Sequence, residues 1–233
     1  MKGKLIVIDG IDGVGKATQT ELLVQRLKKE GCRVKRIDFP RYYDNFFGEF
    51  IGECLRGDYG NFLDVPPRIA SVLYAADRWE SSKQIQRWLS QGFVVVSDRY
   101  VSSNQIHQGG KITDPKERTA FLEWLDRMEH DVFEIPRPDV IIYLNLPTKL
   151  SQELLAKATS DKESLKKRYL KGRKDLAETN IEHLEESKEN ALKIVKKNNT
   201  WKKINCARGE KVMPPEVIHE KVYKEACKII QKQ

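Results

Sequence analysis

Short apolar stretches alternate with longer amphipathic ones along this chain. Positions 4–9, 33–38, 92–97, 139–145 and 202–206 read as strands. Phe93-Val94-Val95-Val96 and Val140-Ile141-Ile142-Tyr143-Leu144 are nearly unbroken apolar runs, as expected of strands buried on both faces of a parallel sheet. Helical spacing of apolar positions fills about 17–30, 46–56, 67–90, 115–132 and 148–157. Two more polar helical patterns follow at about 161–174 and 178–197, and a last one at about 215–231. Pro66 and Pro67 suit a helix start, and Gly31 and Gly92 suit helix ends. This alternation predicts one α/β domain over 1–233, a doubly wound five-stranded parallel sheet flanked by helices. Ligands of such a sheet gather at the C-terminal ends of its strands.

At 233 residues the chain has the length of one ordinary domain. No apolar run approaches the roughly 18 residues of a membrane span. Met1-Lys2-Gly3 leads straight into the first strand, which leaves no room for a signal peptide and predicts a cytoplasmic protein. Cys32, Cys54, Cys206 and Cys227 are far apart, the pattern of reduced thiols rather than of a disulfide framework or metal site. The histidines are scattered too.

Residues 1–148 carry 21 Lys/Arg and 21 Asp/Glu, so the net charge of +8 lies wholly in 149–233. These lysines alternate with glutamates on helical patterns, without interleaved aromatics. That argues for a solvated helix face or a basic flap over polyphosphate, and against a nucleic-acid groove.

The first strand runs into Gly10-Ile11-Asp12-Gly13-Val14-Gly15-Lys16-Ala17-Thr18. A strand, a Gly-rich turn, a lysine and a helix form the context of a phosphate-binding P-loop. Glycines let backbone N–H groups turn toward an anion, the helix start adds its dipole, and Lys16 adds a full charge. Ala17 occupies the position where Ser or Thr normally ligates Mg²⁺. Thr18 comes one residue late and is expected to point elsewhere.

Further candidates follow other strands. Asp98 leaves the strand 92–97, with Arg99 and Tyr100 behind it and Ser103, Asn104 and Gln108 further on. A carboxylate there can hold Mg²⁺, or it can cap the next turn. Arg99 offers a planar fork suited to a phosphate. Phe39-Pro40-Arg41-Tyr42 brings a second arginine and two rings to the same edge. Tyr74 and Arg78 are four apart and share a helix face. They suit stacking on a nucleobase and bonding its edge; equally they suit a core tyrosine with a surface arginine.

Together these motifs resemble the thymidylate kinase family, enzymes that phosphorylate dTMP with ATP. The resemblance rests on the Asp-bearing P-loop, Phe39-Pro40-Arg41-Tyr42, Tyr74-Ala75-Ala76-Asp77-Arg78-Trp79-Glu80 and Asp98-Arg99-Tyr100 with Ser103-Asn104. It runs from Lys4 to about Asn145 and returns near Trp201–Ala207. It implies a P-loop kinase fold with a helical LID insert over about 157–178. It implies that Lys16 and the loop Gly10–Thr18 hold ATP, and that Asp12 binds the sugar 3′-hydroxyl. Arg99, helped by Arg41, would hold the dTMP phosphate. Tyr74 would stack on thymine, Arg78 and Asn104 would read its edge, and Phe39, Pro40, Tyr42, Ser103 and Gln108 would line the pocket. Mg²⁺ is the implied cofactor, with Asp98, Asp9 or Glu178 as carboxylates. Arg168 and Arg173 are the candidate LID cations, the more so because Gly13 stands where some members carry an arginine. Ala177 and His107 replace aromatic residues usual in the family.

Other readings stay open at this point. They are a deoxynucleoside kinase, another nucleoside monophosphate kinase, and a nucleotide-binding regulatory protein without turnover. Helix 67–90 fits a face for a two-fold mate as well as it fits a core.

Overall fold

The computed structural model describes residues 2–161, 169–172 and 180–231. Five strands form one sheet: β1 (Lys4–Asp9), β2 (Val34–Asp38), β3 (Val94–Asp98), β4 (Val140–Asn145) and β5 (Trp201–Asn205). Their order is β2-β3-β1-β4-β5, and every pairing is parallel. The five strands anticipated from the apolar runs are all present, with ends shifted by one or two residues.

Alternation along the strands divides the core in two. Ile6, Ile8, Val94, Val96, Val140, Ile142 and Leu144 face one side. There they meet Leu23, Val24 and Leu27 of helix α1 (Lys16–Lys29) and Ile218, Val222 and Ala226 of the C-terminal helix Pro215–Ile230. Leu5, Val7, Val95, Ile141 and Tyr143 face the other side, against Ile85, Val101, Ile106 and Ala191. Both faces of the sheet are therefore covered, which is why the central strands carry no polar alternation.

Helix α2 (Phe46–Arg56) starts at Asn45, whose Oδ1 accepts from Gly48 N at 2.8 Å. Helix α3 (Pro67–Ser90) has proline at its first position. After β3 come a helical turn, α4 (Val101–Ser103), and a π-helical stretch, Asn104–Gln108, which periodicity did not reveal. The pattern over 115–132 resolves into helix α5 (Pro115–Asp126) and a second π-helical stretch, Arg127–Val132. Such stretches tend to occur at functional sites, and the first lines the pocket described below.

Helix α6 (Thr148–Asp161) follows β4 and extends beyond the expected 157. Helix α7 (Ile181–Lys197) starts at Asn180, whose side chain accepts from His183 N at 3.0 Å. A small hairpin, β6 (Ala207–Arg208) and β7 (Lys211–Val212), precedes the closing helix α8 (Pro215–Ile230). Among the described residues no helix is long and apolar enough to cross a membrane.

Candidate active site

The P-loop is built where β1 ends at the sheet centre. Gly10, Gly13 and Gly15 have φ of 155°, 80° and 87°, values that L side chains adopt only at a cost. A Cβ on Gly10 would lie 2.7 Å from Leu144 O, and one on Gly13 would lie 2.7 Å from Leu155 Cγ and press on Ser151 O. The loop is thus wedged between β4 and α6, and no side chain fits at position 13. Helix α1 has no side-chain cap, so its first amides are left for an anion. Lys16 Nζ donates to Gly10 O (3.0 Å), Ile11 O (2.9 Å) and Asp12 Oδ1 (3.3 Å). Burial and the nearby Arg99 charge push the Lys16 ammonium below the usual lysine range.

Arg99 is the hub. It leaves β3 in a left-handed conformation, φ 64°, fixed by its N–H to Ile8 O at 3.0 Å and by Ser97 Oγ donating to its carbonyl at 2.6 Å. A strained backbone at a strand end fits a position selected for where it aims a side chain. The guanidinium forks between Asp12 Oδ1 and His107 Nε2, the latter at 3.3 Å. Burial raises the Asp12 carboxyl, but the Arg99 and Lys16 charges outweigh it and hold Asp12 well below the usual carboxylate range. Burial and Arg99 push His107 well below its ordinary value. Neutral His107 must then accept at Nε2 from Arg99 and donate from Nδ1 to Ser187 Oγ, 3.2 Å away.

An inner pocket opens behind Arg99. Its walls include Phe39, Pro40, Tyr42, Leu55, Phe62, Tyr74, Ser103, Gln108 and His183, and Arg78 and Asn104 are its most buried lining. Arg78 is only 2% exposed, so it is no surface arginine. An outer cleft adjoins the pocket, lined by Gly13, Gly15, Lys16, Ala17, Thr18, Arg41, Asp98 and Arg99. Thr18 was expected to point elsewhere; it flanks this opening beside Ala17, because two successive residues of the first α1 turn border it.

The candidates from sequence fare unequally. Asp12, Tyr42, Tyr74, Arg78, Arg99, Ser103, Asn104 and Gln108 meet in the inner pocket. Arg41 lines the outer cleft, but its guanidinium goes to Ser81 Oγ (3.0 Å) and Asp44 (3.2 Å). Asp9, read as a candidate metal ligand, is fully buried. Its oxygens accept from Gly10 N, Ser102 Oγ and Ser103 Oγ at 2.8, 2.5 and 2.9 Å. Asp9 therefore anchors the P-loop to α4, and Asp98 is the carboxylate of that pair which lines the cleft. Burial raises the Asp98 carboxyl, with Asp38, its partner across β2 and β3, adding to the effect. Arg168, Arg173 and Glu178 lie outside the described residues, as does most of the segment 157–178.

Two participants were missed from the sequence. Glu129 holds Arg78 and Asn104 from behind the pocket. Its only hint was a carboxylate within a pattern read as amphipathic helix. Tyr169 stacks on Tyr42 (3.8 Å between ring centroids, 10° between planes) and lines both cavities. Leu170 beside it packs with Ile51, Cys54 and Leu55 of α2. An apolar pair, Tyr169-Leu170, set among lysines and arginines was the available signal. His183 and Lys111 also line the pocket, and burial lowers them to about 4 and about 8.

The thymidylate kinase family model matches residues 8–217. A thymidylate kinase of Plasmodium falciparum is 32% identical over 151 residues, 65% of each chain. That of Homo sapiens is 33% identical over 145 residues, 62% of each. The chain thus spans just under two thirds of those two relatives. A probable thymidylate kinase of Methanosphaera stadtmanae is 32% identical over 215 residues, covering 91% of this chain and 94% of its own. The solved structure of thymidylate kinase from Candida albicans shares the fold with a TM-score of 0.70 at 23% identity, covering 99% of this chain and 94% of that one.

Proposed function

The chain belongs to the thymidylate kinase family, and we propose that it transfers the terminal phosphoryl group of ATP to the phosphate of dTMP. One observation carries this reading. Arg78 and Asn104, the most buried lining of the inner pocket, share it with Arg99, which also lines the outer cleft with Lys16 and the P-loop. A pyrimidine nucleotide whose base meets Arg78 and Asn104 can direct its phosphate to Arg99.

Phosphoryl transfer asks the protein for positioning and charge neutralisation rather than covalent chemistry. Lys16 and the loop amides hold the donor phosphates. Arg99 holds the acceptor phosphate, and Asp12 keeps that guanidinium aimed while accepting from the sugar hydroxyl. Tyr74 stacks on the base. A cation from the segment 157–178, Arg168 or Arg173, adds to the charge at the transferring group.

A divalent metal fits the donor set. Asp98 reaches the cleft, and among the described residues no group of three or more His, Cys, Asp or Glu gathers. Mg²⁺ suits such a site, since it keeps several waters and takes one or two carboxylates besides substrate phosphates. Bound there, it neutralises phosphate charge. Ala17 offers no oxygen to such an ion, and a water in place of the missing hydroxyl would cost about 1 kcal/mol. Ala17→Thr is expected to lower the Mg²⁺ concentration for half-maximal rate by no more than about fivefold. If the native protein binds ATP without turnover, and Ala17→Thr restores it, the regulatory reading replaces this one.

The first experiment is coupled detection of ADP release with each deoxynucleoside monophosphate. dTMP is expected to exceed dCMP by at least about a hundredfold, since each buried polar group facing its own kind costs about 1–3 kcal/mol. dUMP, which lacks only a methyl, should fall less. A preference for dAMP or dGMP sinks the proposal.

Two further features support coarser expectations. Ile69, Val72 and Trp79 leave an exposed apolar stripe on α3, which suits a two-fold mate; sedimentation velocity tests it. The four cysteines are free thiols, as suits a cytoplasmic enzyme.

A further inference from the structure

We infer that Glu129 is a positioning residue that sets base specificity by fixing which atoms Arg78 and Asn104 present to the pocket. The inference rests on the pyrimidine-pocket reading given above. Glu129 is fully buried. Arg78 Nε and Nη2 donate to Glu129 Oε2 and Oε1, both at 2.6 Å. Asn104 Nδ2 donates to the same Oε1 at 2.9 Å and to Ser71 O at 3.1 Å.

The orientation of the Asn104 amide follows from its partners. A carboxylate and a backbone carbonyl only accept, so the NH₂ must face them. Both its protons are then used. What Asn104 has left for the pocket it lines is Oδ1, an acceptor. Arg78 likewise has two nitrogens bound to Glu129, and Nη1, a donor, remains. This buried lining of the pocket therefore offers one donor beside one acceptor.

A thymine or uracil edge presents the complement: O4 accepts and N3–H donates. Cytosine reverses both, with a donating N4 amine and an accepting N3. Adenine is reversed in the same sense. Guanine shares the thymine polarity, so its exclusion falls to pocket size. A reversed edge leaves two buried clashes of like polarity, and sites of this kind discriminate strongly. Arg78 and Asn104 would touch the base, and Glu129, with Ser71 O behind Asn104, fixes which of their atoms face it.

The test compares dTMP with 5-methyl-dCMP, which has the size and methyl group of dTMP and a reversed edge. The native enzyme is expected to prefer dTMP by at least a hundredfold in kcat/KM. Glu129→Gln keeps the shape but supplies an NH₂ that must face a donor. Whichever way that amide lies, it faces an Arg78 nitrogen, so the guanidinium is no longer held at both nitrogens and the donor it presents to the base is no longer fixed, while Ser71 O keeps the Asn104 amide in place. The dTMP preference should then shrink at least tenfold, beyond any common loss of rate. Glu129→Asp keeps an acceptor-only partner and should lower kcat/KM for both substrates while retaining the preference. It serves alone if the glutamine variant does not fold. Equal losses on both substrates in Glu129→Gln, or a collapsed preference in Glu129→Asp, overturn the inference while leaving the kinase reading intact. A native protein inactive on dTMP overturns both.

Discussion

Replacing Arg99 by alanine is expected to lower kcat/KM for dTMP by a hundredfold or more, with little change in melting temperature. The side chain leaves β3 beside the P-loop, bonds Asp12 and His107 and lines both cavities, where the proposed acceptor and donor phosphates would meet. A positioned donor of this kind at a developing charge is worth about 3–4 kcal/mol. Arg99 carries no apolar part of either core cluster, and its backbone bonds to Ile8 and Ser97 survive the substitution. Arg99→Lys should recover only a small part of the loss, because an ammonium lacks the planar fork. Steady-state kinetics beside circular-dichroism melting checks this. A kcat/KM within threefold of native removes Arg99 from the site, and a large melting shift makes its role structural.

The second large effect is expected at Gly13. Its φ of 80° costs an alanine about 1–2 kcal/mol. The added Cβ also meets Ser151 O and Leu155 Cγ of α6, and a helix backbone anchored by Ser151 N to Pro147 O cannot retreat cheaply. Overpacking of this kind adds about 1–3 kcal/mol. Gly13→Ala should lower the melting temperature by roughly 5–15 °C and weaken ATP binding by tenfold or more. Gly15 is the control. Its φ of 87° carries a similar conformational cost, but a Cβ there has no neighbour within 4 Å. Gly15→Ala should therefore melt several degrees above Gly13→Ala. Equal melting temperatures mean that the contact with α6 contributes nothing.

Much of this was legible before the fold. The strands were visible because residues buried on both faces leave long apolar runs. The P-loop was visible because its constraints are local, set by glycines, a lysine and the flanking elements. Arg99, Tyr74 and Arg78 could be placed because each lies within a few residues of a recognisable element. Glu129 could not, since it meets Arg78 across 51 positions and through a π-helical stretch that offsets the helical period. The partners of Asp9 were hidden for a related reason. A carboxylate ending a strand beside a P-loop looks the same whether it meets solvent or, as here, two serines 93 and 94 positions away. The second π-helical stretch continues α5 without a break, which made the two look like one helix.

The buried trio Arg78–Glu129–Asn104 restricts how descendants of this sequence can diverge. Removing one partner of a buried ion pair strands the other, at about 3–5 kcal/mol. The whole chain has only about 5–15 kcal/mol of stability to lose. A lineage drifting one substitution at a time toward a reversed base edge must therefore pass through ancestors that barely fold. Changes at positions 78, 104 and 129 are viable together and harmful singly, a case of strong epistasis. Neutral drift is consequently directed elsewhere, toward exposed positions such as Tyr59 and Val217, whose replacement strands no buried charge.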